Sequence, residues 1–260
     1  MNEMAHLKQR KVVIILQARM GSSRLPGKPL KIVMGRPLLS YQIERLRRIS
    51  SVDDIVIATS DLKTDQPIID FCKAEHVHFF RGSESDVLDR YYQAAKKYNA
   101  DVVVRVTGDC PIIDPSVVTQ VISLYLKTSP PCDYVSNTLV HTFPRGLDVE
   151  VFSFSNLEKA AKAAHLAEER EHVTPYFYLH PEIFSLKNFA CEKNLSHHRW
   201  TVDEKDDLDL ITKILMELYP KKPSFEMNDV LELMQQHPDW MNINAHVQQK
   251  KLTIAEKKNF

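Results

Sequence analysis

Three cations share one short stretch of chain with two glycines and two serines. In QARMGSSRLPGKPL, residues 17–30, Arg19, Arg24 and Lys28 alternate with Gly21, Ser22, Ser23 and Gly27. Backbone N–H groups in such a loop can cradle phosphate oxygens. Arginine adds a planar two-pronged contact, and lysine a point charge. The combination reads as a phosphate site, against the blander reading of a charged surface loop. Spacing excludes two familiar loops. Five residues separate Gly21 from Gly27, where the P-loop has four, and Pro29 stands where a Ser or Thr should follow the lysine to bind Mg2+. No G-x-G-x-x-G occurs, so the dinucleotide fingerprint is absent.

The acids suggest a partner chemistry. Asp109 lies in a Gly-Asp-Cys-Pro turn after an apolar run. Magnesium favours one or two carboxylates together with water and substrate phosphates, and an acid at a strand end beside a phosphate loop meets that need. The competing reading is an Asp that only shapes the turn. Asp148 and Glu150 alternate in GLDVEVF, residues 146–152, so both face one side of an extended segment. They could meet polar groups of a ligand or help place a metal, or else line a solvent-facing edge. Arg145 beside them could grip a carboxylate. His172 could act as a general base near neutral pH or be a buried structural histidine. His197 and His198 have no third ligand nearby and read as structural or exposed. Tyr91 and Tyr92, at helical spacing with Leu88 and Ala95, read as core.

These side chains need a frame. KVVIILQ opens with a continuous β-branched run, Val12–Leu16, the pattern of a strand buried on both faces. Further strands follow at 54–60, at Val77–Phe80 and at 100–109. Between them, Leu39, Ile43 and Leu46, then residues 65–75, then Val87, Leu88, Tyr91, Ala95 and Tyr98 mark helices. This cadence predicts an α/β fold: a three-layer αβα sandwich around a mainly parallel, Rossmann-like sheet. Ligands of such sheets bind beyond the carboxyl ends of strands, where strand order reverses. That places the site at the loops after Gln17, Thr59, Phe80 and Thr107.

The second half is less regular. Residues 132–137 and 146–152 read as strands, and Ser155–Ala164 and Glu168–Leu179 as helices, with Pro175 near the start or kink of the second. Residues 199–203 read as extended. Leu208, Ile211, Leu215 and Leu218 mark an amphipathic helix ending before Pro220, and 226–236 one more helix. The polar, basic end, QQKKLTIAEKKNF, is expected to fray. The division expected is a main domain over 1–220, with an insert near 132–190, and a helical extension over 221–260.

Composition narrows the class. A chain of 260 residues can bury a real core without disulfides. At 43% hydrophobic and 26% charged it is not disordered. Lys and Arg total 34, as do Asp and Glu, so nothing indicates a nucleic-acid partner. No stretch approaches the roughly 20 apolar residues of a membrane span, and residues 1–10 lack a signal-peptide core. Cys72, Cys110, Cys132 and Cys191 lack zinc-binding spacing and read as reduced thiols of a cytoplasmic protein.

The loop at 17–30 resembles the signature loop of the sugar-activating cytidylyltransferases, most closely their spore coat polysaccharide biosynthesis protein F branch. ATSD (58–61), FRGSESDVLDRYYQA (80–94), RVTGDCPIIDP (105–115), PRGLDVEVF (144–152), EREHVTPY (169–176) and WTVDEKDDL (200–208) follow in the family's order. The resemblance covers roughly residues 11–220. It implies a Mg2+-dependent nucleotidyl transfer from CTP to a sugar acid of the ulosonic type, with release of pyrophosphate, for a surface or spore-coat polysaccharide. It also implies a homodimer and the nucleotide-diphospho-sugar transferase type of fold.

By the same resemblance the nucleotide is met by Leu16, Ala18, Arg19, Arg24, Lys28, Thr59, Ser60, Arg81, Arg105 and Thr107. The acceptor is met by Arg145, Asp148, Glu150, Glu171, His172 and Tyr176. Catalytic roles fall to Arg19, Lys28, Asp109, Asp148, His172 and Asp203. The metal falls to Asp109 and to Asp203, which Asp206 and Asp207 rival both as ligand and as helix cap. Cys110 and Ile112 depart from the acid and leucine of the octulosonate-activating relatives, which leaves the sugar open. A sugar-1-phosphate nucleotidylyltransferase, a glycosyltransferase of related fold and a non-catalytic binding protein are the alternatives. The glycosyltransferase wants an Asp-x-Asp motif at a strand end. Asp207-Leu208-Asp209 falls inside an expected helix and argues against it.

Overall fold

The structure, a computed structural model, describes residues 10–249. Its first strand, β1 (Val12–Gln17), has five consecutive buried residues. A run of that kind suits a central parallel strand covered on both faces. β4 (Asp54–Ser60) and β6 (Val102–Thr107) pair with it in parallel on either side, and β5 (His78–Gly82) extends the sheet beyond β4. Beyond β6 lie β8 (Glu150–Ser153), which runs antiparallel, then β7 (Tyr134–Ser136) and β9 (Leu186–Asn188). The order is β5-β4-β1-β6-β8-β7-β9. The chain moves outward from β1 to β5 and then returns to place β6 on the other flank. Strand order therefore reverses between β1 and β6, and a crevice opens beyond their carboxyl ends. A small hairpin, β2 (Ile32–Val33) and β3 (Arg36–Pro37), stands apart from the main sheet.

Alternation along β1 sends its residues to two cores. Val12, Ile14 and Leu16 pack with Leu39, Ile43 and Leu46 of α1 (Leu38–Leu46), Ile68 and Cys72 of α2 (Gln66–Ala74), and Val118, Val121 and Ile122 of α4 (Pro115–Lys127). Val13 and Ile15 pack with Leu88, Tyr91 and Ala95 of α3 (Val87–Lys97) and Leu157 and Ala160 of α5 (Phe154–Ala163). The result is the expected three-layer α/β sandwich. Each fully buried Leu or Ile contributes about 1.5–3 kcal/mol of transfer free energy. Tyr91 belongs to this core, and its hydroxyl donates to Ile15 O and Val106 O, both at 3.2 Å.

A third cluster joins the C-terminal helices α8 (Lys205–Leu218) and α9 (Met227–Gln236) to the crevice. Leu210, Ile211, Ile214, Val230 and Met234 pack with Trp200, Trp240, Tyr41 and Leu25 of the glycine loop. Asp114 ties the same parts by polar contacts. Its Oδ1 caps α4 through Ser116 N (2.7 Å), and its Oδ2 accepts from Met227 N at the start of α9 (2.6 Å). Among the described residues no helix is long and apolar enough to cross a membrane. All four cysteines are free.

Two boundaries differ from the sequence reading, at 146–152 and at 168–179. The strand expected at 146–152 begins only at Glu150; Arg145, just before that stretch, instead bridges Arg199. Gly146 has φ +102 there, and a Cβ on it would lie 2.7 Å from Trp200 O. Only glycine permits both. The single helix expected over 168–179 is two, α6 (Ala167–His172) and α7 (Pro175–Tyr178). Buried Val173 separates them at φ 74, ψ −55, with Thr174 N donating to His172 O at 2.9 Å. That is a γ-turn with positive φ at a β-branched residue, a rare and strained conformation. Residues 199–203 form no strand, only an isolated bridge between Arg199 and Arg145. Of the polar end read as frayed or peripheral, 248–260, only the exposed Gln248 and Gln249 are described, and the residues just before it are tied down. Trp240, Asn244 and Val247 are buried. Residues 250–260 lie outside the described residues.

Candidate active site

The glycine loop is fastened at both ends. Ala18 N donates to Ala58 O (3.1 Å), and Met20 N to Asp65 Oδ1 (2.7 Å). Gly27 N returns to Met20 O at 2.9 Å, closing the loop on itself. Gly27 sits at φ 69 and leads into a 3-10 turn, Lys28–Leu30. That left-handed residue turns Lys28 back into the crevice, a conformation other side chains rarely adopt.

Two acids from distant segments meet the lysine there. Lys28 Nζ lies 3.0 Å from Asp109 Oδ2 and 2.8 Å from Asp203 Oδ1. Asp109 follows β6 directly, and its carbonyl accepts from Val202 N (2.7 Å) and Thr201 Oγ1 (3.2 Å). Those bonds bring the segment before α8, and with it Asp203, to the strand ends. Burial works to raise the Asp109 carboxyl. The Lys28 charge and hydrogen bonds from Thr107, Lys28 and Cys110 outweigh it and hold the carboxyl down at about 2. Burial likewise opposes the Lys28 charge, and the two carboxylates more than restore it.

Asp203 has a second set of partners. Its Oδ2 faces Arg24 at 3.1 Å and Arg199 at 2.9 Å. Asp207, the rival for its role, instead accepts from the backbone N–H groups of Asp203 (2.9 Å) and Glu204 (3.1 Å). The capping work therefore falls to Asp207. Asp206 faces away, pairing with His246 at 3.1 Å.

The remaining expected nucleotide residues divide into groups. Leu16 and Ala18 are buried beneath the loop. Arg19 is exposed and 3.9 Å from Glu84. Thr59 Oγ1 (3.0 Å) and Ser60 Oγ (2.5 Å) both donate to Asp65 Oδ2. Arg81 donates to the carbonyls of Ser60, Asp61 and Leu62, bracing the loop after β4. Thr107 Oγ1 lies 3.5 Å from Cys110 Sγ. Arg105 is opposite Glu150 in the β6–β8 register and forms a buried ion pair with it. The Tyr134 hydroxyl also donates to Glu150. Glu150 is thus committed to the sheet.

On the acceptor side several groups lack partners. Asp148 Oδ1 is fully enclosed without a hydrogen bond. Burial pushes its carboxyl up to about 7; the Arg145 charge opposes this, while Glu150 and Asp109 add to it. His172 is half-buried, and burial lowers its pKa despite the adjoining Glu171 charge. Glu171 is exposed. Tyr176 packs on His180, with ring centres 4.5 Å apart.

A divalent cation suits this donor set in part. Asp109 and Asp203 converge on one cationic nitrogen, so two carboxylates already share a site for positive charge. No group of three His, Cys, Asp or Glu side chains among the described residues could hold a metal unaided. Two carboxylates completed by water and phosphate oxygens are what Mg2+ requires.

Comparison with known proteins agrees with this geometry. A family model described as Cytidylyltransferase matches residues 13–252. The chain belongs to the cytidylyltransferase family. It is similar to the spore coat polysaccharide biosynthesis protein SpsF of Bacillus subtilis, 31% identical over 88% of this chain and 95% of that one. A 3-deoxy-manno-octulosonate cytidylyltransferase of Chlamydia trachomatis is 28% identical over 68% of this chain and 71% of its own. Among solved structures, a cytidylyltransferase from Leptospira borgpetersenii aligns with a TM-score of 0.86 at 32% identity, covering 94% of this chain and all of that one.

Three residues of this cytidylyltransferase site escaped the sequence reading. Asp65 fastens the glycine loop to the end of β4, and hydrogen bonds from Ser60, Met20 N–H and Thr59 hold its carboxyl low against burial. His141 is half-buried with Nδ1 enclosed and unpartnered. Burial, then the Arg145 charge, pushes it down to about 4. Arg199 braces Asp203. None lies in a segment with a distinctive local pattern. The Asp61–Asp65 spacing after a strand was the one available signal for Asp65.

Proposed function

We propose that this enzyme transfers the cytidylyl group of CTP to an acidic sugar of the ulosonic type and releases pyrophosphate. The observation that carries the reading is Lys28 held between Asp109 and Asp203, under the glycine loop, at the point where strand order reverses. An oxygen of the sugar attacks the α-phosphorus, and the bond to the bridging oxygen of pyrophosphate breaks. Charge spreads over phosphate oxygens, so positioning and cationic stabilisation dominate.

Arg19, Arg24 and Lys28 supply the cationic surface for the triphosphate. Asp109 and Asp203 would hold Mg2+, which neutralises phosphate charge when bound. Arg81, Thr59 and Ser60 shape the nucleotide side through the loop after β4. Arg145 is held by its backbone to His198 and Trp200, and its guanidinium makes no hydrogen bond or ion pair among the described residues, which suits a carboxylate partner. Asp148, enclosed and titrating near 7, is the group we assign to take the proton of the attacking hydroxyl. His172 and Tyr176 complete the acceptor side, with Glu171 at its rim.

The Chlamydia relative activates an octulosonate, and the Bacillus relative is named for coat polysaccharide, which supports a CMP-sugar destined for a surface glycan. A cytoplasmic homodimer is part of the same reading. The deciding experiment measures pyrophosphate release with each of the four NTPs, with and without Mg2+, against ulosonic acids and sugar phosphates. Release with CTP and one acidic sugar is expected. Release only with a sugar-1-phosphate would overturn the acceptor assignment.

A further inference from the structure

We infer that the segment following α9 is a positioning strap for the metal-binding carboxylate Asp203, acting through Asn244, Gln249 and Arg199. The inference rests on the reading of Asp203 as a metal ligand. It starts from the two oxygens of that carboxylate, which have different surroundings. Oδ1 turns into the crevice toward Lys28. Oδ2 accepts from Arg199 Nη2 at 2.9 Å and faces Arg24 of the glycine loop at 3.1 Å. A carboxylate anchored by one oxygen presents the other in a fixed direction.

Arg199 is in turn fixed on every side. Its Nε and Nη2 meet Asp207 Oδ1 (2.8 Å) and Oδ2 (3.0 Å) in a two-pronged pair. Its Nη1 donates to Gln249 Oε1 at 2.7 Å. Asn244 Nδ2 closes the arrangement, donating to Arg199 O and to Asp207 Oδ1, both at 2.9 Å. The same Asp207 accepts the backbone N–H of Asp203. Asn244 therefore holds both the arginine and the acid that set the Asp203 backbone and side chain.

The strap is built into the fold. Trp240 and Val247 are buried at either side of buried Asn244, and the Trp240 indole joins the core formed with α8 and α9. Groups that orient a metal ligand without touching the metal typically govern affinity by roughly 10–100-fold. The C-terminal segment therefore acts on the metal site through Arg199 and Asp207.

Mn2+ is the probe, titrated into the full-length protein with CTP present and followed by water-proton relaxation, a readout independent of turnover. N244A is expected to weaken Mn2+ binding by roughly ten- to hundredfold and to leave CTP affinity in EDTA unchanged. Q249A removes one exposed end of the strap without touching the core. It is expected to weaken Mn2+ several-fold in the same direction and serves if N244A folds poorly. Wild-type uptake of Mn2+ with unaltered affinity in both folded variants overturns the strap alone. Mn2+ binding that D203N leaves intact, or no binding by the wild type, overturns the parent metal assignment and the strap with it.

Discussion

Lys28 Nζ and Asp203 Oδ1 meet at 2.8 Å although 175 residues separate them in the chain. The contact joins the glycine loop to the segment before α8, and Asp109 shares the lysine at 3.0 Å. The lysine satisfies charge on Asp109 and Asp203 that a divalent cation and triphosphate would share in a complex. One ammonium group thus keeps two facing acids compatible with a buried setting, where a lone charge would be costly.

Replacing Lys28 by Met should separate its two roles. Turnover should fall by roughly 10²–10³, the range for loss of one well-placed charge stabiliser, and CTP should bind more weakly. Mn2+ affinity without nucleotide should rise, because the competing cation has gone. Isothermal titration with Mn2+ alone and with CTP alone reads both. Weaker Mn2+ binding by K28M would show that the lysine does not occupy the cation's place.

Asp109 gives an acid-stability signature. Its carboxyl sits at about 2 in the folded chain, against about 3.9 for an unperturbed Asp. Between those values the unfolded chain binds the extra proton, so stability falls as pH drops from about 4 to about 2. Above pH 4 the stabilisation is fully present, on the order of 2 kcal/mol. D109N should lose it there and converge with the wild type below pH 2. Urea melts at pH 2 and pH 6 in EDTA check this, and parallel curves at both pH values would contradict it.

Asp148 has the opposite sign. It titrates near 7 when folded and near 4 when unfolded. Across that interval the folded chain keeps a proton that the unfolded chain releases, so stability falls as pH rises from about 4 to about 7. D148N should abolish turnover yet melt higher at pH 8, by on the order of 4 kcal/mol, or roughly 8–16 °C. At pH 4 the two proteins should melt together. A lower melting temperature at pH 8 would mean that Asp148 is held by a stabilising contact as an anion.

The sheet was readable because its information is local. Val12–Leu16 and Val102–Val104 are unbroken apolar runs, and such runs form strands wherever both faces are covered. The loop of 17–30 was readable because glycine is scarce in this chain, at 6 of 260 residues, and its grouping with cations is informative. Contacts that depend on pairing across the fold were not. Glu150 and Arg105 each looked available for a ligand, and only the β6–β8 register shows that they neutralise one another. Asn244 sits in a polar end with no periodicity, and its role follows from which side chains the third core brings beside it. The break at Val173 was hidden for another reason: a valine at φ 74 contradicts its local preference, and only packing can impose it.

The Arg105–Glu150 pair can be tested as a unit. Removing one partner from a buried ion pair leaves an uncompensated charge and costs about 3–5 kcal/mol. E150A should therefore destabilise strongly and release the Tyr134 hydroxyl as well. R105L together with E150L should recover much of that loss, because the charges leave together. Chemical denaturation of the two single variants and the double variant gives the coupling energy. Additive losses would show that the residues act independently, and would return Arg105 to the nucleotide as its main partner.

His141 provides a test of the acceptor side. Its Nδ1 is enclosed without a partner, and an unsatisfied buried group is stable only where a ligand or water completes it. Burial and Arg145 push its pKa down to about 4, so the ring is neutral from pH 6 to pH 8. A neutral imidazole can give or take one hydrogen bond with a sugar hydroxyl, and that bond should not change over this range. H141F keeps the volume and removes the bond. Its KM for the acceptor should rise about tenfold, equivalent to one neutral hydrogen bond of about 1.4 kcal/mol. The kcat and the affinity for CTP should stay near wild type, since the contact is made equally before and during the reaction. Steady-state kinetics at pH 6, 7 and 8 check all three quantities. An unchanged acceptor KM would place His141 among the structural residues of the loop, and a changed CTP affinity would move it to the nucleotide side.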